Sequence, residues 1–269
     1  MGKVEAQVKP GYKRTKLGWI PEDWEIVELG SKGEVLSGLT YKPEDVRDTG
    51  TIVLRSSNIQ NDRLAFENNV FINNDEHSYK PVIEGDILIC VRNGSKNLIG
   101  KNTLITNELE GAAFGAFMTV YRSINYKYFI HLFKTSFWNK EIHKNLGATI
   151  NSINGSDLKK FRFPYPKNKN EVQKIAQILS TWNKVITQTE KLIAQKQKRK
   201  QGLLQQLLTG KKRFKEFVKS DKMKETKLGE IPEDWEVVKL GNKGDVISGL
   251  TYKPEDVKDS GTIVLRSSN

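Results

Sequence analysis

The sequence has very little cysteine and histidine. Its 269 residues include one cysteine and three histidines. Cys90 cannot form a disulfide within the chain, and it lies in the apolar run Ile87 to Val91, where a buried and unreactive thiol is the ordinary expectation. The histidines His77, His131 and His143 do not have the spacing of zinc ligands with each other or with cysteine. The sequence therefore predicts neither a disulfide framework nor a metal site.

Long apolar runs are also missing. No run approaches the roughly eighteen apolar residues that span a bilayer. The beginning of the chain is rich in lysine and lacks the apolar core of a secretion signal. Gly2 is followed by Ala6, where an N-myristoylation motif needs serine or threonine. We therefore expect a cytoplasmic protein that has no membrane partner.

What the chain does have is an excess of positive charge. Lysine and arginine number 44 against 32 aspartate and glutamate residues, which gives a formal net charge of +12. The run from Lys191 to Lys215 contains nine basic residues and no acidic ones. Such a run favours a phosphate backbone or another acidic partner, although charge alone does not indicate which base sequence is recognised. Binding to a membrane surface is disfavoured because the apolar side of this segment is a narrow stripe.

A long amphipathic helix is predicted from Asn170 to Leu208. Apolar or small residues recur there in steps of three and four, which places them along one side of a helix. Asn170 with Gln173 offers an N-cap and a capping-box partner, and Gly210 stands where a helix-ending glycine belongs. A helix of this length is expected to act as a spacer and to pair with another helix. The residues predicted to contact the partner helix are Ile175, Leu179, Trp182, Val185, Ile186, Leu192, Leu203 and Leu207.

Three basic residues interrupt the apolar stripe in its middle: Lys196, Arg199 and Lys200. Polar residues at such positions cost stability and select one register or one partner. Ordinary surface residues on a solvated helix give the same pattern. The sequence leaves both interpretations open.

The chain contains an internal repeat of 44 residues. Residues 15–58 read TKLGWIPEDWEIVELGSKGEVLSGLTYKPEDVRDTGTIVLRSSN, and residues 226–269 match them at all but eight positions. Most differences are mild, but Glu230 replaces Trp19 and Lys239 replaces Glu28, which changes the surface. The offset of 211 residues is far longer than a solenoid unit, so the repeat is a duplicated module.

The predicted fold class is α/β, with a mixed, mainly-β domain followed by one long α-helix that pairs as an antiparallel coiled coil. Short apolar stretches between turn residues predict strands at 24–29, 51–55, 70–72, 87–91, 103–105 and 117–122. Residues 125–144 are predicted to form a helix on the sheet. The predicted organisation is a loose leader at 1–14, the domain at 15–167, the helix at 168–210, a basic linker at 211–225 and the partial repeat at 226–269.

No reaction centre is visible in the sequence. Residues 94–102 resemble a phosphate-binding loop, but five residues separate the glycines where a P-loop has four, and Asn102 replaces the required serine or threonine. Residues 163–166 lack the asparagine or aspartate, two prolines and aromatic residue expected of an adenine methyltransferase. Asp157 has no acidic partner at the spacing of a metal-dependent nuclease and is better interpreted as the start of a short turn.

Polar loops follow several of the predicted strands. Arginine can pair with guanine and asparagine with adenine, while serine and lysine hold phosphates. Any one of these residues is more simply explained as a turn residue, but the collection, together with the basic helix, predicts binding to double-stranded DNA. The candidate DNA-binding residues are Arg55, Ser57, Asn58, Gln60, Arg92, Asn93, Ser95, Lys96, Asn97, Lys101, Asn151 and Asn154.

Over nearly its whole length, the chain resembles the DNA-specificity subunit of type I restriction-modification enzymes. The resemblance rests on the long helix, on the repeat of the opening, and on LGWIPEDWE, GTIVLRSSNIQ, GDILICVRNG followed by IGK, AAFGAFMTVYRS and INSINGSDLKKFRFPYP. It implies that residues 15–167 are a target recognition domain that reads one half of a split DNA site. It also implies that the long helix separates recognition domains and docks methyltransferase subunits.

The resemblance further implies that this chain catalyses nothing and binds no cofactor. All cofactors are then expected on partner subunits. The methyltransferase subunits bring S-adenosylmethionine, and magnesium and ATP are likewise expected on the partners, which include the restriction and translocase subunits. A stand-alone dimeric DNA-binding regulator without enzymatic partners is the alternative function.

A complete subunit of that family has two recognition domains and two antiparallel helices, whereas this sequence has one of each and a partial repeat. We hypothesise that two chains pair their long helices to form a homodimer, which reads two inverted half-sites for host defence. A second hypothesis concerns residues 226–269, which either stay loose or exchange into a recognition domain.

Overall fold

The computed structural model describes residues 9–73, 78–146 and 151–265. The chain divides into two compact units, Met1–Thr189 and Glu190–Asn269. The strands of the first unit are β1 (Tyr12–Thr15), β2 (Gly18–Pro21), β3 (Trp24–Glu28), β4 (Glu34–Ser37), β5 (Val46–Arg47), β6 (Thr51–Leu54), β7 (Ile59–Gln60), β8 (Arg63–Leu64), β9 (Phe71–Ile72), β10 (Ile87–Cys90), β11 (Asn102–Leu104), β12 (Ala113–Phe114), β13 (Met118–Arg122) and β14 (Arg162–Pro166). The helices are α1 (Tyr126–Leu132), α2 (Ser136–Asn145), α3 (Gly155–Lys159) and α4 (Lys169–Leu207), and α4 contributes to both units. The second unit also contains β15 (Met223–Thr226) and β16 (Gly229–Pro232).

The central sheet has the strand order β11-β10-β13-β4, and all its pairs are antiparallel. Strand β10 is buried along its whole length because its sequence ILIC is apolar on both faces. Side chains alternate between faces of a strand, so Ile87 and Ile89 join one core while Leu88 and Cys90 join another. The strand predicted for the apolar run around Cys90 is confirmed, and the structure adds that it has a core on each side.

Two short helices cover one face of this sheet, where the sequence predicts a single helix from 125 to 144. The chain leaves helical geometry after α1 and begins α2 behind Thr135, which has an extended backbone. The break brings the ring of Phe133 against that of Trp138, with ring centres 4.1 Å apart. The packing of these two rings in the core therefore accounts for the break between α1 and α2.

Strand β14 contains two prolines, Pro164 and Pro166. Among the described strands its one partner is β3, from Arg162 opposite Glu28 to Pro166 opposite Trp24. A strand with one partner tolerates prolines because the missing N–H groups lie on its unpaired side. Residues 162–166 are thus a structural part of the domain.

The predicted leader also needs correction. Residues 12–15 form β1, which pairs with β2, and the Lys13 ammonium donates a hydrogen bond to the carbonyl oxygen of Glu22 at 2.7 Å. The hairpin forms because Gly18 adopts a φ of +106°, which favours glycine at the turn. Residues 1–8 of the predicted leader lie outside the described part of the chain.

The long helix is confirmed, with a correction to its first residue. It begins at Lys169, because Asn168 Oδ1 accepts the N–H of Asn170 at 2.9 Å, so Asn170 lies inside the helix and is not its N-cap. Ile175, one of the residues predicted to contact a partner helix, packs in part against the core of its own unit, next to the buried Ala176. Pairing of α4 as a coiled coil remains a prediction. In the described part of the chain, no helix combines the length and apolar character needed to cross a membrane.

The second unit repeats the first hairpin. Strands β15 and β16 pair antiparallel, and the Lys224 ammonium donates to the carbonyl oxygen of Glu233 at 2.9 Å, as Lys13 does to Glu22. Arg213 binds Asp234 through two hydrogen bonds of 2.7 Å, and this guanidinium lowers the pKa of the Asp234 carboxyl group. Within the described range 233–265, no residue belongs to a strand.

Candidate nucleic-acid interface

The first candidate loop follows β6 and covers residues 55–60. Asn58 Oδ1 accepts the backbone N–H of Arg55 at 2.9 Å, and Asn58 Nδ2 donates to the carbonyl oxygen of Ala65 at 2.9 Å and to Asn69 Oδ1 at 3.1 Å. Asn58 is fully buried, so the prediction that it contacts DNA is corrected. Its side chain holds the loop in shape.

The second candidate loop, residues 92–97, follows β10. Asn93 is half-buried; its Nδ2 donates to Ser56 Oγ at 3.1 Å, and its Oδ1 accepts the N–H of Ser95 at 3.1 Å. Lys101 adds a second link, because its ammonium donates to the carbonyl oxygen of Ser56 at 3.4 Å. The first and second loops are therefore fastened to each other by side chains.

The third candidate loop, residues 151–154, joins the other two. Asn151 accepts the N–H of Asn93 through its carbonyl oxygen at 3.2 Å, and its Nδ2 donates to the carbonyl oxygen of Gly94 at 2.9 Å. Asn154 begins α3, since its carbonyl oxygen accepts the N–H of Leu158 at 2.9 Å. Residues 147–150, which come directly before this loop, lie outside the described residues. We call residues 55–60, 92–97 and 151–154 the loop cluster.

The predicted DNA-binding residues other than Asn58 fall into two groups according to the exposure of their side chains. The exposed ones are Gln60, Arg92, Ser95, Lys96, Asn97 and Asn154. The half-buried ones are Arg55, Ser57, Asn93, Lys101 and Asn151. The exposed set supplies the groups that can meet a ligand, and at least Asn93, Lys101 and Asn151 in the second set support the loops through the hydrogen bonds given above.

An aromatic residue that sequence reasoning missed lies beside the cluster. Phe117 is 55% exposed, its carbonyl oxygen accepts the N–H of Arg92 at 3.1 Å, and the Arg92 guanidinium lies 5.6 Å from its ring centre. A guanidinium next to an exposed ring offers both a base-edge donor and a stacking surface. The available signal was an aromatic residue after two small residues, Gly115 and Ala116, directly before β13.

The first strand of the β7–β8 hairpin, Ile59–Gln60, belongs to the loop cluster, and its turn and second strand follow the cluster in sequence. Asn61 and Asp62 form its turn with φ values of +48° and +61°, a conformation typical of tight hairpins. Asp62 Oδ1 lies 2.7 Å from the Lys134 ammonium, and Thr103 Oγ1 donates to the Asp62 carbonyl oxygen at 3.1 Å. These contacts hold Gln60 in position, and sequence reasoning missed Lys134 because it lies 72 residues from Asp62.

The loop cluster carries no visible apparatus for covalent chemistry. Burial raises the pKa of the Cys90 thiol, which donates to the carbonyl oxygen of Arg92 at 3.6 Å, so this buried cysteine stays protonated. Among residues 9–73, 78–146 and 151–265, no three histidine, cysteine, aspartate or glutamate side chains are placed to hold a metal ion. The arrangement is suited to binding through hydrogen bonds, charge and stacking.

The fold and the loop cluster together define a sheet-rich binding domain that continues into one long helix. The chain belongs to the family described as the type I restriction modification DNA specificity domain, whose family model matches residues 21–198. The resemblance stated from the sequence is thereby confirmed.

Two of the curated relatives are named as type I specificity subunits. The chain is 29% identical over 256 residues to the type I restriction enzyme MjaVIII specificity subunit of Methanocaldococcus jannaschii, covering 93% of this chain and 56% of that protein. It is 30% identical over 158 residues to the EcoKI specificity subunit of Escherichia coli, covering 55% and 34% of the two chains. The crystal structure of a type I restriction-modification S subunit from M. genitalium aligns with a TM-score of 0.47 and 18% identity, covering 68% of this chain and 45% of that one. The chain spans about half the length of the M. jannaschii relatives, 55 to 57%.

Proposed function

We propose that this chain is a non-catalytic, DNA-reading specificity subunit of a type I restriction-modification complex. One observation carries the proposal: hydrogen bonds join three loops, distant in sequence, into one cluster that exposes Arg92, Lys96 and Asn97. Membership of the DNA specificity family supports the same function. The proposed ligand is double-stranded DNA.

The loop cluster is proposed to contact the DNA bases while strand β10 and the hydrogen bonds between the loops hold it in one conformation. Arg92 leaves the fully buried strand β10, and its guanidinium can pair with the two acceptors of guanine in the major groove. Asn97 offers the donor and acceptor that match adenine, while Ser95 and Lys96 are suited to phosphate oxygens. Because Asn93 fixes this loop to Ser56, little conformational freedom is lost on binding.

The loop cluster formed by the described residues is proposed to read one half of a bipartite site. Helix α4 leaves apolar side chains exposed; Trp182 is 63% exposed, and Leu192 and Ile186 are also exposed. Two copies that pair these stripes antiparallel place their recognition domains at opposite ends of a symmetric dimer. Such a homodimer reads two inverted half-sites separated by unspecified bases.

The chemistry is proposed to reside on partner subunits. Adenine methyltransferase subunits dock on this chain and bring S-adenosylmethionine, and restriction subunits with translocase and nuclease activity bind ATP and magnesium and join through them. The family membership and the names of the relatives support this assignment.

Selection from a random duplex library tests the proposal. The purified chain, with its methyltransferase subunits, is expected to enrich two inverted half-sites at one fixed spacing. The Arg92→Ala variant provides the matched control and should lose enrichment at one position of each half-site. Recovery of random sequences by the wild-type chain would refute sequence reading. Failure to co-purify with a methyltransferase, together with successful enrichment, would instead indicate a stand-alone DNA-binding protein.

A further inference from the structure

Phe117 presents an aromatic ring to solvent beside the loop cluster. Its side chain is 55% exposed, whereas the next aromatic residue along the chain, Tyr121, is fully buried. Single exposed apolar residues are common on protein surfaces and need no explanation by themselves. Phe117 differs from such residues in the rigidity of its backbone and in its charged neighbour.

The backbone around Phe117 is a tight turn fixed to the rest of the domain. The N–H of Met118 donates to the carbonyl oxygen of Gly115 at 2.8 Å, which closes the turn. The N–H of Gly115 donates to the carbonyl oxygen of Leu54, the last residue of β6, at 2.9 Å. A side chain at Gly38 would collide with the carbonyl oxygen of Gly115, so the chain that follows β4 approaches the turn closely. The turn is therefore held from two sides.

The same turn joins Phe117 to Arg92. The carbonyl oxygen of Phe117 accepts two N–H groups, from Val91 at 3.0 Å and from Arg92 at 3.1 Å. The Arg92 guanidinium lies over the Phe117 ring, 5.6 Å from its centre, which is within the range of a cation–π interaction. The exposed charge and the exposed ring thus form one unit, which we call the Arg92–Phe117 pair.

The two members of the pair match different chemical groups in the major groove of DNA. A guanidinium binds the two acceptors of guanine. An apolar ring cannot satisfy the hydrogen-bonding groups at a base edge, but it can pack against the C5 methyl group of thymine, the apolar group that a base pair presents in this groove. An exposed ring beside a base-reading arginine therefore favours thymine as its contact.

The spacing within the pair determines which base pair the ring meets. Successive base pairs are about 3.4 Å apart along the duplex. The distance of 5.6 Å between the guanidinium and the ring centre is longer than one such step and shorter than two. When the guanidinium lies in the plane of its guanine, the ring consequently reaches the neighbouring base pair.

We propose that Phe117 is a specificity-determining residue that recognises the C5 methyl group of a thymine in a base pair adjacent to the guanine bound by Arg92. This inference rests on the proposed function, in which the loop cluster reads one half of a bipartite site. It adds that the half-site contains guanine and thymine in neighbouring base pairs, with the thymine on either strand. Because the turn already fixes the backbone of Phe117, the contact costs little conformational freedom.

Exchange of thymine for deoxyuridine tests the proposal, because the two bases differ only in the methyl group. The duplex selection described above supplies the half-site, and the position that Arg92→Ala relaxes identifies the guanine. For the wild-type chain with its methyltransferase subunits, deoxyuridine at the neighbouring thymine should weaken binding roughly four-fold, as expected for one buried methyl group. The same exchange in the unspecified spacer is the control on the DNA and should leave the affinity unchanged.

Phe117→Ala is the matching protein variant. It should bind the thymine duplex at least roughly four-fold more weakly than the wild type does, and it should bind the thymine and deoxyuridine duplexes equally. Phe214→Ala is the matched control, because Phe214 is a phenylalanine of the second unit with 60% exposure, and this variant should keep the wild-type preference for thymine. The preference of the wild-type chain is measured without any substitution and does not depend on the folding of the variants.

Three results would overturn the proposal while leaving DNA reading intact. The first is an enriched half-site in which Arg92→Ala relaxes no guanine, or in which neither base pair next to that guanine contains thymine. The second is equal affinity of the wild-type chain for the thymine and deoxyuridine duplexes. The third is an unchanged preference for thymine in Phe117→Ala. Recovery of random sequences in the selection would instead refute the proposed function itself, and this inference with it.

Discussion

Arg122 binds Asp86 through two parallel hydrogen bonds, Nε to Oδ1 and Nη2 to Oδ2, each 2.8 Å long. Asp86 is buried, and its Oδ2 also accepts the backbone N–H of Ile83 at 3.0 Å. The pair fastens the end of β13 to the turn that precedes β10. The strand that carries Arg92 is thereby fixed at its far end from the loop cluster.

Replacement of Arg122 by methionine should destabilise the first unit. The change leaves the Asp86 carboxylate buried without its cation, at a cost of about 2 kcal/mol because the arginine is partly exposed. The temperature of thermal unfolding should fall by roughly 5 °C. Lys80→Met, which removes an exposed pair with Glu34, is the matched control and should lower stability by less than about 1 kcal/mol. Equal effects of the two substitutions would contradict a structural role for the buried pair.

Substitutions at Arg92 and Asn58 should distinguish an effect on DNA affinity from an effect on the stability of the fold. Arg92→Ala is expected to weaken binding to the selected duplex by about 1 to 3 kcal/mol and to leave thermal unfolding unchanged, because Arg92 is exposed. Asn58→Ala should lower the unfolding temperature, since it removes three hydrogen bonds of a buried side chain. Fluorescence anisotropy and scanning calorimetry measure the two effects.

The control for this pair is Lys227→Ala, an exposed residue in the turn between β15 and β16 that carries the same charge as Arg92. Its effect on duplex affinity should be small at physiological salt. If Lys227→Ala weakens binding as much as Arg92→Ala does, the effect of Arg92 is one of net charge and not of base reading.

The polar loops after the strands could be located from the sequence, but the sequence did not show that hydrogen bonds join them or which of their residues are buried. Arg92 and Asn93 follow a run that is recognisably a buried strand. Asn58 looks the same in sequence, yet it is buried because the chain returns past it at Ala65 and Asn69, a path set by tertiary packing. Local pattern reports residue type, while burial depends on partners that are distant in sequence.

The sequence pattern also predicts the helices and hairpins only in part. The apolar period of α4 is long enough to predict the helix directly. The contact of Ile175 with the core of its own unit was not predicted, because an apolar period does not distinguish a core contact from a contact with a partner helix. The β1 hairpin was missed because its four-residue strand is polar and basic, and only its partner β2 defines it.

The stability of the first unit should depend on pH through His131. Its Nε2 lies 3.3 Å from Ser180 Oγ on α4, and burial, with a smaller contribution from Lys134, lowers its pKa below the ordinary value. The unfolded chain then binds the proton first, at a pKa of about 6.5. This contribution to stability is fully present above that pH, falls as the pH decreases towards the lower pKa of the folded state, and is constant below it.

His131→Gln should remove this dependence. Free energies of unfolding from urea titrations at pH 7.5 and pH 5.5 measure it. The wild-type chain is expected to lose more stability between these two values than the variant does. An identical loss in both chains would show that His131 is not the group responsible.

The apolar stripe of α4 should control dimerisation. Trp182→Asp places a charge in the proposed helix seam, so the chain should become monomeric at micromolar concentration without a change in helix content. Gln188→Asp introduces the same charge and is the matched control, because Gln188 is not among the apolar seam residues. Light scattering reports the mass and circular dichroism the helix content. A wild-type chain that is already monomeric, alone and with methyltransferase, would eliminate the homodimer.

The most direct test is a map of methylated adenines in cells that contain the wild-type chain, the Arg92→Ala variant or no chain. A specificity subunit that selects DNA for its partners predicts one bipartite, inverted motif that is methylated only with the wild-type chain and is lost or altered with Arg92→Ala. The same methylated adenines in all three cell lines would contradict the account.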